Sequence, residues 1–502
     1  MLRLRRVPID FCGDNIVFIH RNNETFKGST LDSLSKVEIH GGLKPIYGKV
    51  VLVDSEDIVK PDELGLSEAG FSNINLPEGS EVSMVPAPPP ASINSVQRKI
   101  KGGVLSAREY RAIVSDISLQ KYSKIEIAAL QVANSSFLTP QEVLAMTEAI
   151  AEQQPVMKWN RDIVVDEVCL GGVPGNRVSL IVTAIAIGAG MCMPKIARKA
   201  VGESSSAIDV METLCNTDME ESDIRKIVEE IGGCISWCGG KFSVAPIDNI
   251  LLDVEKSLSI GMPQQMVVSI MSKAISAGVT HLVVDIPVGM NTLVRTMGEA
   301  MRLRKLMEYV GDMLGIDVNV AITDGSEPIG RGVGPVLEAR DVMNVLRCSD
   351  EAPRELREKS LFIAGRILEF DPRLRGGHGY YRAQEILDSG RALEMIKRLI
   401  HAQSRNTPMP LGQLTRDITA PVTGVIESID GNQINRIAIM AGAPGDAGAG
   451  IDLLKSVGDE VEQGEPLYRI HAVKSMEFAF ANGLAEGNSG FKISNDLSAQ
   501  YA

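Results

Sequence analysis

Three kinds of hydrophobic period follow one another along the chain. Residues 1 to about 85 alternate apolar and polar positions between turn signals, as in "NIVFIHRNN", "KVEIHGG" and "KPIYGKVVLVDS". A period of two turns one face of each run toward a core, so a β-rich N-terminal domain is predicted over 1–85. "VPAPPPAS" ends that region, and its prolines make 86–92 a stiff linker of polyproline type. Over 93–160 the spacing becomes i, i+3, i+4, as in "LSAREYRAIVSDISLQ" and "QKYSKIEIAALQVANSSF". The next helix, "LTPQEVLAMTEAIAEQ", has Thr139 as its N-cap and Pro140 in the first helical position.

From 161 to 405 short β runs alternate with amphipathic helices. The strand candidates are "RDIVVDEV", "GGCISWCGGKFSV", "VTHLVVDIPVG" and "DVNVAITDG". Such alternation predicts a mixed or parallel sheet covered by helices. A break at "HAQSRNTPMPLGQL" leads into a second β-rich module over 413–486, and the polar stretch 487–502 is expected to be loose. The reading is a multidomain α/β protein with β-rich modules at both ends, consistent with its 502 residues.

Composition narrows the function classes. The net charge of −13 argues against a general nucleic-acid binder, whose affinity needs excess Lys and Arg. A small anionic substrate stays possible, because a pocket can be basic inside an acidic protein. "VSLIVTAIAIGAGMCM" is the most apolar run, yet it is short of a membrane span. The seven cysteines are scattered and odd in number, which suits free thiols in the cytosol.

The stretch "DEVCLGGVPGNRVSL", residues 166–180, carries the first candidate chemistry. A strand precedes it and a helix follows it, an arrangement that presents backbone N–H groups to an anion. It lacks the Walker lysine, and "IGRGVGP" at 329–335 does not fit G-x-G-x-x-G. On pattern alone it is either a tight turn or a functional loop. Cys234 and Cys238 have no companion ligands nearby, so buried thiols are expected and no metal. Residues 161–260 contain no histidine, which removes the usual general base. Ser269 and Lys273, at i and i+4 in "SIMSKA", share a helix face that is either solvated or turned to a substrate.

Several segments together resemble the pyrimidine-nucleoside phosphorylases, specifically the archaeal-type thymidine phosphorylase and AMP phosphorylase branch. They include "GGVPGNRVSLIV", "GGCISWCGGKFSVAPIDNI", "SIMSKA", "VVDIPVG", "ITDGSEPIGRGVGPVLEARDVMNVL" and "ITAPVTGVIESID" with "AGAPGDAGAGIDLL". The resemblance implies a fold of nucleoside phosphorylase type II. A helical domain, 93–160 with a returning segment at 249–277, would face an α/β domain at 161–405 across a closing cleft. It implies a homodimer or higher homo-oligomer. It also implies a small nucleoside or nucleoside 5′-monophosphate substrate, with no nucleic-acid or membrane partner and no cofactor. The implied reaction is phosphorolysis at C1′, with orthophosphate as co-substrate.

By the same resemblance the anion site would comprise Gly171, Gly172, Gly175, Asn176 and Ser179, and the base site Ser269 and Lys273. The phosphate site departs from the family. Where the family reads Asp-Lys-His-Ser, this chain has Asp166, Glu167, Val168 and Cys169. The family's next serine and closing threonine fall on Ala197 and Ala207, and its base-site arginine falls near Asp253 or Lys256. Four readings stay open. Phosphorolysis is retained; or Glu167, with Cys169 beside it, serves water or an amine nucleophile; or the anion shifts toward Lys199, Ser204, Ser205 and Ser206; or the fold serves binding without catalysis. "APVTGVI…VKSMEF" also resembles half of a biotinyl or lipoyl module, but without Met-Lys-Met around Lys474 a packing role is expected.

Overall fold

The computed structural model describes residues 1–11, 13–24, 36–242, 246–258 and 262–494, in two compact units, Met1–Gln153 and Gln154–Ala502. In the first unit the period-two segments close into a barrel. Its strands are β1 (Leu2–Arg6), β2 (Ile16–His20), β3 (Lys36–His40), β4 (Ile46–Val53), β5 (Glu63–Leu66) and β6 (Glu81–Pro86), in the order β1-β5-β2-β4-β3-β6. Alternate residues fill its interior, including Leu2, Leu4, Val37, Ile39, Leu64 and Leu66. Four helices follow: Ile93–Ile100, Ala107–Ser118, Lys124–Ser136 and Pro140–Ala151. The last three each start with a capping box, at Ser106/Glu109, Ser123/Glu126 and Thr139/Glu142. Thr139 is the N-cap that the sequence predicts.

The second unit is built on parallel strands. β7 (Val165–Cys169) pairs with β10 (His281–Val288), which pairs with β11 (Asp317–Asp324). β8 (Met193–Ala197) pairs with β9 (Gly233–Trp237), and a parallel Val164–Cys192 bridge joins the two groups. The helix Val178–Gly188 is buried from Leu180 onward, and it packs against the helices Arg354–Leu368 and Arg391–Ala402. Its sequence is apolar all round because it is covered on every side. Helices Pro246–Leu258 and Pro263–Ser276 belong to this unit as well.

The C-terminal module holds two sheets. One is β12 (Gly332–Val333), β15 (Gly450–Leu453), β17 (Pro466–Ala472) and β13 (Leu414–Thr419), in that order. The other is β16 (Glu460–Val461), β14 (Gly424–Ile429) and β18 (Phe491–Ser494). Two expectations are corrected here. Residues 491–494, expected in a loose stretch, form β18 against β14, a pairing more than 60 residues distant in the chain. The module also carries helices, Gly431–Met440 and Ser475–Gly487. Lys474 is the N-cap of the second and pairs with Asp446 at 2.8 Å. No helix among the described residues is long and apolar enough to cross a membrane.

Candidate active site

The parallel strands end at a glycine turn, the position where open α/β sheets place their ligands. After β7 the chain turns under Leu170, whose N–H donates to the Asp285 carbonyl at 2.7 Å. Gly171 and Gly175 adopt φ of +108° and +75°. A Cβ on Gly175 would meet the Ile329 carbonyl oxygen at 2.0 Å, so only glycine fits there. The loop borders a cleft of about 550 Å³, within the range of small-molecule sites. Every residue lining it belongs to the second unit.

Strand alternation decides what the two acids of β7 do. Asp166 and Val168 line the cleft, while Glu167 points to the other side. There its Oε2 accepts a hydrogen bond from Ser179 Oγ, and Ser179 itself lines the cleft. Lys195, from β8, reaches Asp166 Oδ1 at 3.1 Å and donates to the Glu167 carbonyl. All three of Asp166, Glu167 and Lys195 are buried. Burial pushes both carboxyls above their ordinary pKa values, against the pull of Lys195 and, for Glu167, of Ser179.

Cys169 is corrected as a catalytic candidate. Burial, with Asp285 adding to it, pushes the thiol well above its ordinary value, so it stays protonated. Its Sγ donates to the Gly171 carbonyl at 3.1 Å and accepts from Asn176 Nδ2 at 3.4 Å. These contacts hold the loop rather than create a nucleophile.

The opposite wall comes from two helices. Ser269 and Lys273 both line the cleft. Ser269 Oγ donates to Asp248 Oδ2 at 3.0 Å, and Lys273 Nζ lies 3.4 Å from the same oxygen. Asp248 is 1% exposed. Asp248 is not among the residues expected from the sequence, although a signal is there: it lies among Ile247, Leu251 and Val254, the buried stripe of its helix. A carboxylate on an apolar stripe needs a partner. The family arginine has no counterpart on the cleft wall at Asp253, which is exposed; Leu252 and Glu255 line it instead. The side chain of Lys256 lies outside the described residues.

The segment "GESSS", residues 202–206, lines the cleft, but its hydroxyls are partly spent. Ser205 Oγ donates to Glu338 and accepts from Arg177 Nε at 3.1 Å. Ser206 caps the helix Ala207–Glu212, accepting from Ile208 and Asp209 N–H groups. The Ser204 N–H donates to Asn435 Oδ1 at 2.8 Å, which brings the C-terminal module to the cleft edge. Lys199, expected at the anion site, is turned away. It pairs with Glu212 at 2.8 Å and lies 4.3 Å from the Trp237 ring centroid, off the cleft lining. Arg198 lines the cleft in its place. Among the described residues no cluster of His, Cys, Asp and Glu suits a metal ion.

A sheet whose strands end at a glycine turn, facing a serine–lysine pair across a cleft, belongs to a defined class. Residues 161–393 match the glycosyl transferase family a/b domain, and residues 425–490 the pyrimidine nucleoside phosphorylase C-terminal domain. A protein of Rhodopseudomonas palustris named "Putative thymidine phosphorylase" is 45% identical, over 99% of this chain and 97% of that one. A relative of the same name from Methylococcus capsulatus is 44% identical, over 98% and 96% of the two chains. The anthranilate phosphoribosyltransferase (TrpD) of Thermus thermophilus shares the fold, with a TM-score of 0.52 at 18% identity, over 62% of this chain and 99% of that one.

The fold is thus that of the multidomain α/β glycosyltransferases. The chain belongs to the pyrimidine nucleoside phosphorylase family, a family of enzymes with the thymidine phosphorylase architecture.

Proposed function

We propose that the protein transfers the pentosyl group of a nucleoside or nucleoside 5′-monophosphate, breaking the bond between C1′ and the base, to an acceptor that brings its own proton. Water is the simplest such acceptor. The observation that carries this reading is the Ser179–Glu167 pair, with a hydroxyl on the cleft wall backed by a buried carboxylate. An acceptor O–H would donate to Ser179 Oγ as its oxygen attacks C1′, while Ser179 passes its own proton to Glu167. The electrons of the breaking bond leave with the base. Lys273 would offset that charge and Ser269 would hold the base edge, both fixed by Asp248.

A dianionic phosphate needs converging donors and positive charge. Here Glu167 stands where the resembling loops carry lysine, and Ser179 already donates to it. Retained phosphorolysis is the second reading. It is favoured by Arg198 and Lys273 on the cleft wall and by the relatives named as thymidine phosphorylases. The test is base release from thymidine, uridine, AMP, CMP and UMP with and without orthophosphate. Release that proceeds without phosphate and is not accelerated by it supports the proposal. Release that requires phosphate and yields a pentose 1-phosphate establishes the second reading. Binding without turnover would leave a binding role alone.

A further inference from the structure

Glu203 is an acidic cleft residue with no part in the reaction above. It lines the cleft opposite the glycine loop and keeps an exposed side chain. Its carboxylate rests directly on Gly172: a Cβ built there would lie 2.6 Å from Glu203 Oε1 and 3.1 Å from Cδ. The backbone of Gly172 is not in the left-handed region. A side chain at this position would have to push the Glu203 carboxyl aside, whereas the turn itself does not require glycine there. A carboxyl group therefore already sits over the loop whose backbone N–H groups would receive an anion.

Desolvation in the cleft raises the Glu203 carboxyl above its ordinary pKa. Arg177 and Arg198 attract the carboxylate, while Glu338 and Asp209 oppose it. The other cations of the cleft are engaged by fixed carboxylates. Lys195 is held by Asp166, Lys273 by Asp248, and Arg177 itself by Glu338. Arg198 lies in the field of Glu203 and of Glu255, a second carboxyl on the cleft lining.

We propose that Glu203 is the specificity-determining residue of the cleft. Its carboxylate occupies the anion position over Gly172, so that the site rejects orthophosphate and admits a neutral acceptor. The inference rests on the reading of a neutral acceptor given above. Exposure of the side chain makes its removal cheap for the fold, because no buried partner is left behind.

The experiment is titration of orthophosphate into the full chain, followed calorimetrically, with no nucleoside present. Wild type is compared with Glu203→Ala and Glu203→Gln. The expected result is phosphate binding at least tenfold tighter in Glu203→Ala, with Glu203→Gln between it and wild type. Equal phosphate affinity in all three proteins, at unchanged melting temperature, overturns the inference. Weaker binding in the variants overturns it as well. Because the titration contains no nucleoside, it stands or fails apart from the base-release test.

Discussion

Ser179, in the first turn of the helix that follows the glycine loop, donates its hydroxyl hydrogen to Glu167 on the strand that precedes it. The loop therefore folds back so that its two flanking elements share one polar contact. Only the ionised form of Glu167 can take a proton from Ser179. Glu167→Gln keeps the shape and removes the base, and is expected to lower kcat by about 10²- to 10⁴-fold. Ser179→Ala is expected to lower kcat too, with Gly171 and Gly175 still shaping the loop. Steady-state kinetics on the substrate that releases base decides this.

The same pair sets a pH dependence. Burial raises the Glu167 pKa above its ordinary value of about 4.3. Activity is fully present above the raised value and is lost as pH falls through it. The acid limb of the kcat profile is expected above the usual carboxylate range. An acid limb at the ordinary carboxylate value, in a protein that stays folded there, would exclude Glu167 as the base.

Stability runs in the opposite direction. Because the folded-state pKa of Glu167 is raised, the folded chain holds the proton more tightly than the unfolded chain. Stability then falls as pH rises from the unfolded value through the folded one, and the full cost is present above it. Lys195 keeps Asp166 as a partner when Glu167 is neutral. Glu167→Gln is therefore expected to melt higher than wild type at pH 7 to 8, and the gap should narrow on acidification. Thermal denaturation followed by circular dichroism across that pH range is the measurement.

Much of this arrangement is legible in the sequence, and the rest is not for physical reasons. The strand, glycine turn and helix around Gly171 to Ser179 follow from local period and turn chemistry. So does the Thr139 cap, because its partner Glu142 is three residues away. Ser269 and Lys273 share a face by helical spacing alone. The period of two says that Asp166 and Glu167 point to opposite sides, but not which side is the cleft. Lys199 follows the strand β8 and turns toward Glu212 and Trp237, a choice made by packing. Asp248 meets Ser269 across two helices, 21 residues apart, and β18 meets β14 from a still greater distance. Contacts of that range depend on tertiary register, which a single sequence does not print.

Asp248 gives the next prediction. Its Oδ2 accepts from Ser269 and balances Lys273, so it acts through both rather than on the substrate. Asp248→Asn keeps an acceptor for Ser269 and loses the charge opposite Lys273. A charge-assisted contact of this kind is worth about 1.5–3 kcal/mol, or roughly ten- to a hundredfold. The loss should fall on kcat through Lys273, which offsets the charge of the leaving base, and on KM through Ser269, which holds the base edge. Determination of KM and kcat separately checks it; both equal to those of wild type would show that Asp248 only packs.

Arg177 ties the loop to the body of the second unit. Its Nε and terminal nitrogens reach Glu338 and both oxygens of Ser205, and it donates to the Asn176 carbonyl at 2.7 Å. Glu338 is fully buried and also accepts from the Gly334 N–H at 3.0 Å. Arg177→Ala would leave that carboxylate without its cation, a defect that costs about 3–5 kcal/mol when one member of a buried pair is removed. Removing both charges is a different experiment. Arg177→Met with Glu338→Gln keeps volume and an acceptor for Gly334 N–H, so most of the loss should be recovered. Urea denaturation of the two variants and wild type separates the cases. A single variant as stable as wild type would mean that the Arg177–Glu338 contact does not hold the loop in solution. A double variant no better than the single one would place the cost in the lost Ser205 and Asn176 bonds instead.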